Sequence, residues 1–388
     1  MLGDMGYALG QGTGPLRGVK VVELAGIGPG PHACMLLADL GADVIRVDRP
    51  GGGSMDVGSH DVLTRGRPSV AIDLKHADGV RTVLDLVAGA DALVEGLRPG
   101  TTERLGLGPE DCWEHNPRLV YGRMTGWGQD GPWAHAAGHD LNYVAVTGAL
   151  HASGQDPARP HFPGNLIGDF GGGSTYLVIG VLAGLLEART SGRGQVVDAA
   201  IVDGVASLNA MATTLAGLGL QPESRASGLL DGGTPYYDVY ETADGRHVSV
   251  AALEPQFYAE LLRRLDLVDE APDRDDPAGQ AALRTLLADT FRRRTQAEWA
   301  EVFDATDACV APVLPLSEAV RHPHLAARGT YVTVDGLTQP APAPRFSRTR
   351  ATLGRPPATA GADSREALTA WGVRDVDARL ASGAVVQA

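Results

Sequence analysis

Two glycine-flanked stretches carry the groups best suited to moving a proton. Gly138-His139-Asp140-Leu141-Asn142-Tyr143 offers an imidazole beside a carboxylate. Thirty residues beyond His139, Gly168-Asp169-Phe170-Gly171-Gly172-Gly173-Ser174 offers a second carboxylate at the opening of a helix of small apolar residues. Glycines let a ligand approach the backbone closely, and a helix start presents free N–H groups to a developing oxyanion. An imidazole and a carboxylate near such donors are the parts needed to remove and return a proton beside a carbonyl. Plainer roles stand beside this one: His139 as a satisfied structural histidine, and Asp169 as a helix N-cap.

Other residues suit an anion. The turn Gly26-Ile27-Gly28-Pro29-Gly30-Pro31 follows the first expected strand and invites a dinucleotide reading, but Pro31 stands where G-x-G-x-x-G needs its third glycine. Asp48, at the end of the next strand, has the place of a ribose-binding acid, yet Arg46 and Arg49 beside it suit a ribose phosphate better. A tight turn without ligand is an equal alternative from this motif alone. Asp73-Leu74-Lys75, Glu95-Gly96-Leu97-Arg98-Pro99-Gly100 and Arg104 then put three cations beyond the carboxyl ends of later strands, the edge where open α/β sheets bind ligands. Lys75, Arg98 and Arg104 form either a local phosphate site or a set of surface ion pairs worth little energetically.

The elements that must position these groups alternate. Strands are expected at Val19–Leu24, Asp43–Asp48, Ser69–Leu74, Asp91–Glu95 and Leu119–Thr125, with helices at Ala33–Leu40 and Gly79–Val87 between them. Such alternation predicts α/β architecture, a mostly parallel sheet with helices on both faces. Helices at Gly172–Ala188 and Ala200–Leu218 flank a strand-like Gln195–Asp198. After about Gly228 the pattern changes: Tyr236–Glu241 and Arg246–Ala251 alternate around Asp244-Gly245, a hairpin signal, and three helical runs follow, the last capped by Thr295. The Pro-rich run at 340–344 predicts an extended crossing, and Ser364–Trp371 a last helix.

Composition bounds the function classes. The 388 residues suffice for two ordinary domains or one large one, and 44% hydrophobic content excludes a disordered chain. A net charge of −14 argues against a general nucleic-acid or anionic-membrane surface. Cys34, Cys112 and Cys309 are odd in number and widely spaced, which argues against disulfides and a metal site and for a reducing cytoplasm. Residues 1–15 read as a flexible leader without the features of a signal peptide, and the apolar stretch Tyr176–Leu186 is too short to span a bilayer.

In combination the motifs are more specific than any alone. Gly-Val-Lys-Val-Val-Glu-Leu-Ala-Gly, Leu-Gly-Ala-Asp-Val-Ile-Arg-Val-Asp-Arg-Pro, Met-Thr-Gly-Trp-Gly-Gln, Gly-His-Asp-Leu-Asn-Tyr, Gly-Asp-Phe-Gly-Gly-Gly and Gly-Gln-Val-Val-Asp-Ala-Ala stand in this order. The chain closely resembles the family III CoA-transferases, and within them the alpha-methylacyl-CoA racemase branch, from about Leu16 to about Thr359. The resemblance implies a Rossmann-like large domain at 16–199 and 330–388, a smaller α+β domain at 230–309, and linkers at 200–229 and 310–329. It also implies a homodimer of two interlocked chains, with each active site between one chain's large domain and the other's small domain. By matching motifs, Asp169 falls on the family's catalytic carboxylate, His139 on the histidine that marks racemases, and Glu254 on a glutamate near it. Arg49, Lys75, Arg98 and Arg104, with the backbone of Ile72, Asp73, Leu74, Gly96 and Leu97, fall on coenzyme A-binding positions, and Gly138 and Tyr143 join them.

The implied activity is epimerisation of 2-methylacyl-CoA thioesters by 1,1-proton transfer through an enolate, with no metal or redox cofactor and coenzyme A bound as part of the substrate. His139 would serve one face of the enolate and Asp169 the other. Backbone donors at the helix start near Gly171 would hold the enolate oxygen, and Asp140 or Glu254 would orient the imidazole. The rival is CoA transfer through an acyl-aspartyl anhydride on Asp169, and His139, generally absent from transferases, weighs against it. One departure concerns the acyl group: racemases of this type often line its cavity with several methionines, whereas Ala206–Leu218 keeps Met211 beside Asn209, Thr213 and Thr214. Those polar side chains predict a substrate with a polar group.

Overall fold

A computed structural model describes residues 7–53, 58–156, 158–220 and 222–388; residues 1–6 of the expected leader lie outside the described residues. The strands, in chain order, are β1 (Lys20–Leu24), β2 (Asp43–Asp48), β3 (Ser69–Ile72), β4 (Ala92–Glu95), β5 (Val120–Thr125), β6 (Val196–Ala200), β7 (Tyr237–Glu241), β8 (His247–Ala251), β9 (Val310–Pro312), β10 (Tyr331–Val334), β11 (Leu337–Pro340) and β12 (Val385–Val386). The contact pattern divides the chain into two units. One holds the chain up to Thr147, Pro163–Leu208 and Gly329–Ala388; the other holds Gly148–Phe162 and Asn209–Arg328. The stretch 200–229, expected as one linker, is thus divided after Leu208.

The first unit is built on a seven-stranded sheet in the order β12-β3-β2-β1-β4-β5-β6. β1 to β6 pair in parallel, and β12 adds antiparallel to β3 with Val385 opposite Ile72. β3 and β4 are buried throughout, and β2 is buried except at Arg46. Strands with that pattern need cover on both faces, which crossover helices supply. The strand order reverses between β1 and β4, so their connections leave in opposite directions and open a crevice at the carboxyl edge.

One core gathers Val22, Ile45, Val70, Leu86 and Leu93 with Leu368, Trp371 and Val385 from the end of the chain. Helix Val376–Ala381 and β12, which the sequence pattern did not predict, belong to this closing segment. From Tyr7 onwards the leader makes contacts with the first unit. Tyr7 packs on the same core, and the Gly10 N–H donates to both Asp43 carboxylate oxygens at 2.9 and 3.0 Å. The Pro-rich run also differs from expectation: Pro340 closes β11, paired with Tyr331 of β10. Asp335 and Gly336 supply the positive φ values, 50° and 79°, of the tight turn between them.

A continuous helical run, Leu166–Ser191, is 26 residues long, and by length and composition alone it could cross a membrane. The helical run is thus longer than the apolar stretch Tyr176–Leu186 inside it. Its helix Thr175–Ser191 instead packs on β5 and β6. A Cβ on Gly180 would come within 2.3 Å of Val197, and one on Gly184 within 2.9 Å of Val120. These glycines let the helix settle directly onto the sheet.

The second unit has a three-stranded antiparallel sheet, β7-β8-β9, whose first hairpin turns at Asp244-Gly245 as its sequence predicts. Tyr240, Leu261, Leu287, Phe291, Trp299 and Phe303 form its core. Thr295 caps helix Gln296–Phe303, accepting from the Glu298 N–H at 3.3 Å while its own N–H donates to the Glu298 carboxylate at 2.8 Å.

Candidate active site

The first nine residues of the long helical run, Leu166–Ser174, wind as a π-helix. Asp169 is therefore not an N-cap but lies inside the first turn, and Gly171 is interior to the helix rather than at its start. The wide turn is held in place by close packing. A Cβ on Gly172 would lie 2.7 Å from the Val205 nitrogen, and one on Gly204 would lie 1.8 Å from the Gly172 oxygen. Helix Ile201–Leu208 thus meets the π-helix backbone to backbone. On the other side His32 Nδ1 stands 2.5 Å from Ser174 Oγ, which donates to the Phe170 carbonyl at 3.1 Å.

Three neighbours fix Asp169. Its N–H donates to Asp140 Oδ1 at 2.6 Å, and its Oδ2 accepts from Asn165 Nδ2 at 3.1 Å. Gly28, at φ 67°, brings the turn after β1 so near that a Cβ there would lie 3.2 Å from Asp169 Oδ2. The glycine-rich turn thus accommodates a carboxylate of its own chain. Burial pushes the Asp169 carboxyl above the usual range, and the Asp140 charge adds to this against the Asn165 hydrogen bond and the nearby His139.

His139, an exposed residue, precedes helix Asp140–Val146, and its backbone N–H donates to Asn142 Oδ1 at 3.1 Å. Tyr143 donates its hydroxyl proton to the Gly138 carbonyl and packs its ring edge-on to Trp127, centroids 4.8 Å apart. Burial, with the Asp169 charge, raises the Tyr143 hydroxyl. Asp140, expected to orient the imidazole, serves the backbone of Asp169 instead. Its helix position turns it inward, and it is 8% exposed. Gly168 must be glycine for that bond, since a Cβ there would lie 2.3 Å from Asp140 Oδ1.

His139 and Asp169 line one cavity of about 850 Å³, together with Gly96, Leu97, Arg98, Gly138 and Tyr143. A second cavity of about 830 Å³ holds Arg49, Ile72, Asp73, Leu74 and Lys75. Both touch the Gly26–Gly28 turn, Pro31, Leu63 and Leu97, so they adjoin at the sheet's switch point. The Lys75 N–H donates to Asp73 Oδ1 at 2.9 Å, which curls the backbone beyond β3. Asp48 is engaged by Arg46 at 2.9 Å and by the Ser69 hydroxyl at 2.6 Å. Arg104 lines neither cavity; its Nη2 donates to Thr101 Oγ1 at 3.0 Å.

Glu254 stands in the second unit, exposed, at the N-cap of helix Pro255–Leu265. In that unit Thr213 and Thr214 donate their hydroxyl protons to the Asn209 and Ala210 carbonyls, each at 3.0 Å. Those two hydroxyls are satisfied within their own helix, which takes them, though not Asn209, out of the argument for a polar acyl group. Sequence reasoning missed Asn165, which stands at the N-cap of the π-helix, a geometry that a pattern read at 3.6-residue spacing does not reveal.

The family model for CoA-transferase family III matches residues 16–364. The alpha-methylacyl-CoA racemase of Mus musculus is 45% identical over 339 residues, covering 87% of each chain. That of Homo sapiens is 42% identical over 340 residues, again covering 87% of each. Among solved structures, a CaiB/BaiF family protein from Brucella suis is 27% identical with a TM-score of 0.78, over 91% of this chain and 98% of the other.

Proposed function

This chain belongs to CoA-transferase family III, and from that premise we propose that it epimerises 2-methylacyl-CoA thioesters at Cα, an isomerase reaction proceeding through an enolate. One observation carries the chemistry: His139 and Asp169 line the same cavity, with the Asp169 carboxyl raised above its usual range. A raised carboxyl is a stronger base when ionised, which narrows its gap to a weakly acidic thioester α-proton. One group takes the proton from one face of Cα while the other, protonated, returns one to the opposite face. The first turn of the π-helix, which brings Asn165, Asp169 and Phe170 to the cavity, carries N–H groups without an intrahelical acceptor, the kind of donor an enolate oxygen needs as its charge develops.

The nucleotide end of coenzyme A fits the second cavity, where Arg49 and Lys75 offer cations beside the curled backbone of Ile72–Lys75. Arg98 and the turn beyond β4 carry the chain of the substrate towards the two bases. Binding energy from these distant contacts holds Cα between the two bases. The strand order supports reading the first unit as Rossmann-like. The reading includes an interlocked homodimer, in which Glu254 reaches the imidazole of a partner chain, and needs no metal or redox cofactor.

Incubation of the protein with one 2-methylacyl-CoA in deuterated water, without an acceptor acid, tests the proposal. Deuterium at Cα and loss of enantiomeric excess support it. Unchanged Cα hydrogen, with hydroxylamine trapping an acyl group on Asp169, would identify CoA transfer instead.

A further inference from the structure

Glu95 ends β4 as a carboxylate that is 3% exposed, and it lines the cavity of His139 and Asp169. Its Oε2 accepts from the Leu97 N–H at 2.7 Å, which bends the chain into the turn that carries Leu97 and Arg98. Its Oε1 lies 3.6 Å from Arg123 Nε on β5, and that Nε is buried without a hydrogen-bond partner among the described residues. Arg123 is itself held from three sides. It donates to Gln129 Oε1 at 2.8 Å and to Glu103, and it lies 5.1 Å over the Tyr121 ring. An apolar side chain would end the strand without the desolvation cost of a buried charge. The carboxylate supplies what an apolar group cannot: an acceptor for a turn N–H and a tie to the neighbouring strand.

We propose that Glu95 is a positioning residue, which clamps the Gly96–Pro99 turn to the end of β5 so that Leu97 and Arg98 meet coenzyme A in one arrangement. This inference rests on the functional reading above, in which that turn contacts coenzyme A. Two stretches of the cavity wall are coupled by the clamp, since β5 runs on into Gly126 and Trp127 of the same cavity. The charged groups that face Glu95 are Arg123 from β5, Glu103 from helix Thr101–Arg104 and Asp198 from β6; Glu23, Arg98, His139 and Asp169 share its cavity. Burial pushes the Glu95 carboxyl up to about 7, against the Leu97 N–H and Arg123, with Glu103 and Asp198 adding to the rise. Because its folded value is raised, the carboxylate form prevails only above neutral pH. That form accepts the Leu97 N–H more strongly.

The test measures coenzyme A binding by calorimetry for the full chain and for Glu95→Gln and Glu95→Ala at pH 6 and pH 8, with melting curves to check folding. Glutamine keeps an acceptor for Leu97 but not the charge, so binding should weaken about fivefold at pH 8 and less than about twofold at pH 6, as expected from losing a charge-assisted bond. Alanine should weaken binding by about tenfold or more at both pH values, and glutamine should restore part of that loss. In turnover, both changes should raise KM more than they lower kcat. If wild-type protein binds coenzyme A and both variants bind it equally well with the same pH dependence, this inference is overturned and the functional reading stands. If wild-type protein binds no coenzyme A, both are overturned.

Discussion

Among the residues of the site, the neighbours of Asp169 set its chemistry. Asn165 donates to its Oδ2 and lowers a carboxyl that burial and Asp140 raise. Asn165→Ala should therefore move the acid limb of the exchange rate to higher pH, because the carboxylate then forms only at a higher pH than in the wild type. The rate at neutral pH should fall about 10- to 100-fold, the range for a hydrogen bond to a charged group. A pH–rate profile of Cα deuterium exchange measures both effects, and an unshifted limb would count against this role for Asn165. His139 and Asp169 were legible in the sequence through the ordered set of motifs that resembles the family, since each residue taken alone fits a plain structural role as well. Asn165 and the backbone role of Asp140 were not. Both depend on the π-helix, whose extra residue per turn leaves no mark in a pattern read at 3.6-residue spacing.

The elements show the same division. β2 runs from Asp43 to Asp48 as its β-branched run predicts, and the β7–β8 hairpin turns at its Asp-Gly pair. The hairpin of β10 and β11 has the same signal at Asp335-Gly336, but the prolines that follow masked it. β12 is two residues long, too short for any periodicity to emerge. The triple glycine of the π-helix reads in sequence as room for a ligand, yet Gly172 makes room for helix Ile201–Leu208. Gly204→Ala, which would force a Cβ against the Gly172 carbonyl, should destabilise the fold by about 2–3 kcal/mol, as overpacking against backbone does. Chemical denaturation would measure that loss. The same variant should lower kcat, since the π-helix that carries Asp169 must move to relieve the contact.

For the whole molecule, the decisive feature is a chain of net charge −14 that places cations at one sheet edge. If Arg49, Lys75 and Arg98 receive the phosphates, coenzyme A affinity should fall as salt rises from about 0.05 to 0.5 M, because screening weakens contacts between partly exposed charges. Arg98→Ala should weaken binding by about 1–3 kcal/mol, whereas Arg104→Ala should change it little, since Arg104 lines neither cavity. Calorimetry across a salt series distinguishes these outcomes. The interlocked dimer makes a separate prediction. Dilution should release no folded monomer, and a reversible monomer–dimer equilibrium in sedimentation at micromolar protein would contradict it.

The central claim is that two different side chains serve the two faces of Cα, and the most direct measurement follows deuterium entering each enantiomer of a 2-methylacyl-CoA by NMR in His139→Ala and Asp169→Ala. Each variant retains one base, so each should suppress exchange from one enantiomer more than from the other, with opposite preference. The asymmetry should reach about 10²-fold or more, the usual contribution of a general base. Equal suppression of both enantiomers by both variants, or exchange that persists undiminished without His139, would contradict the two-base account.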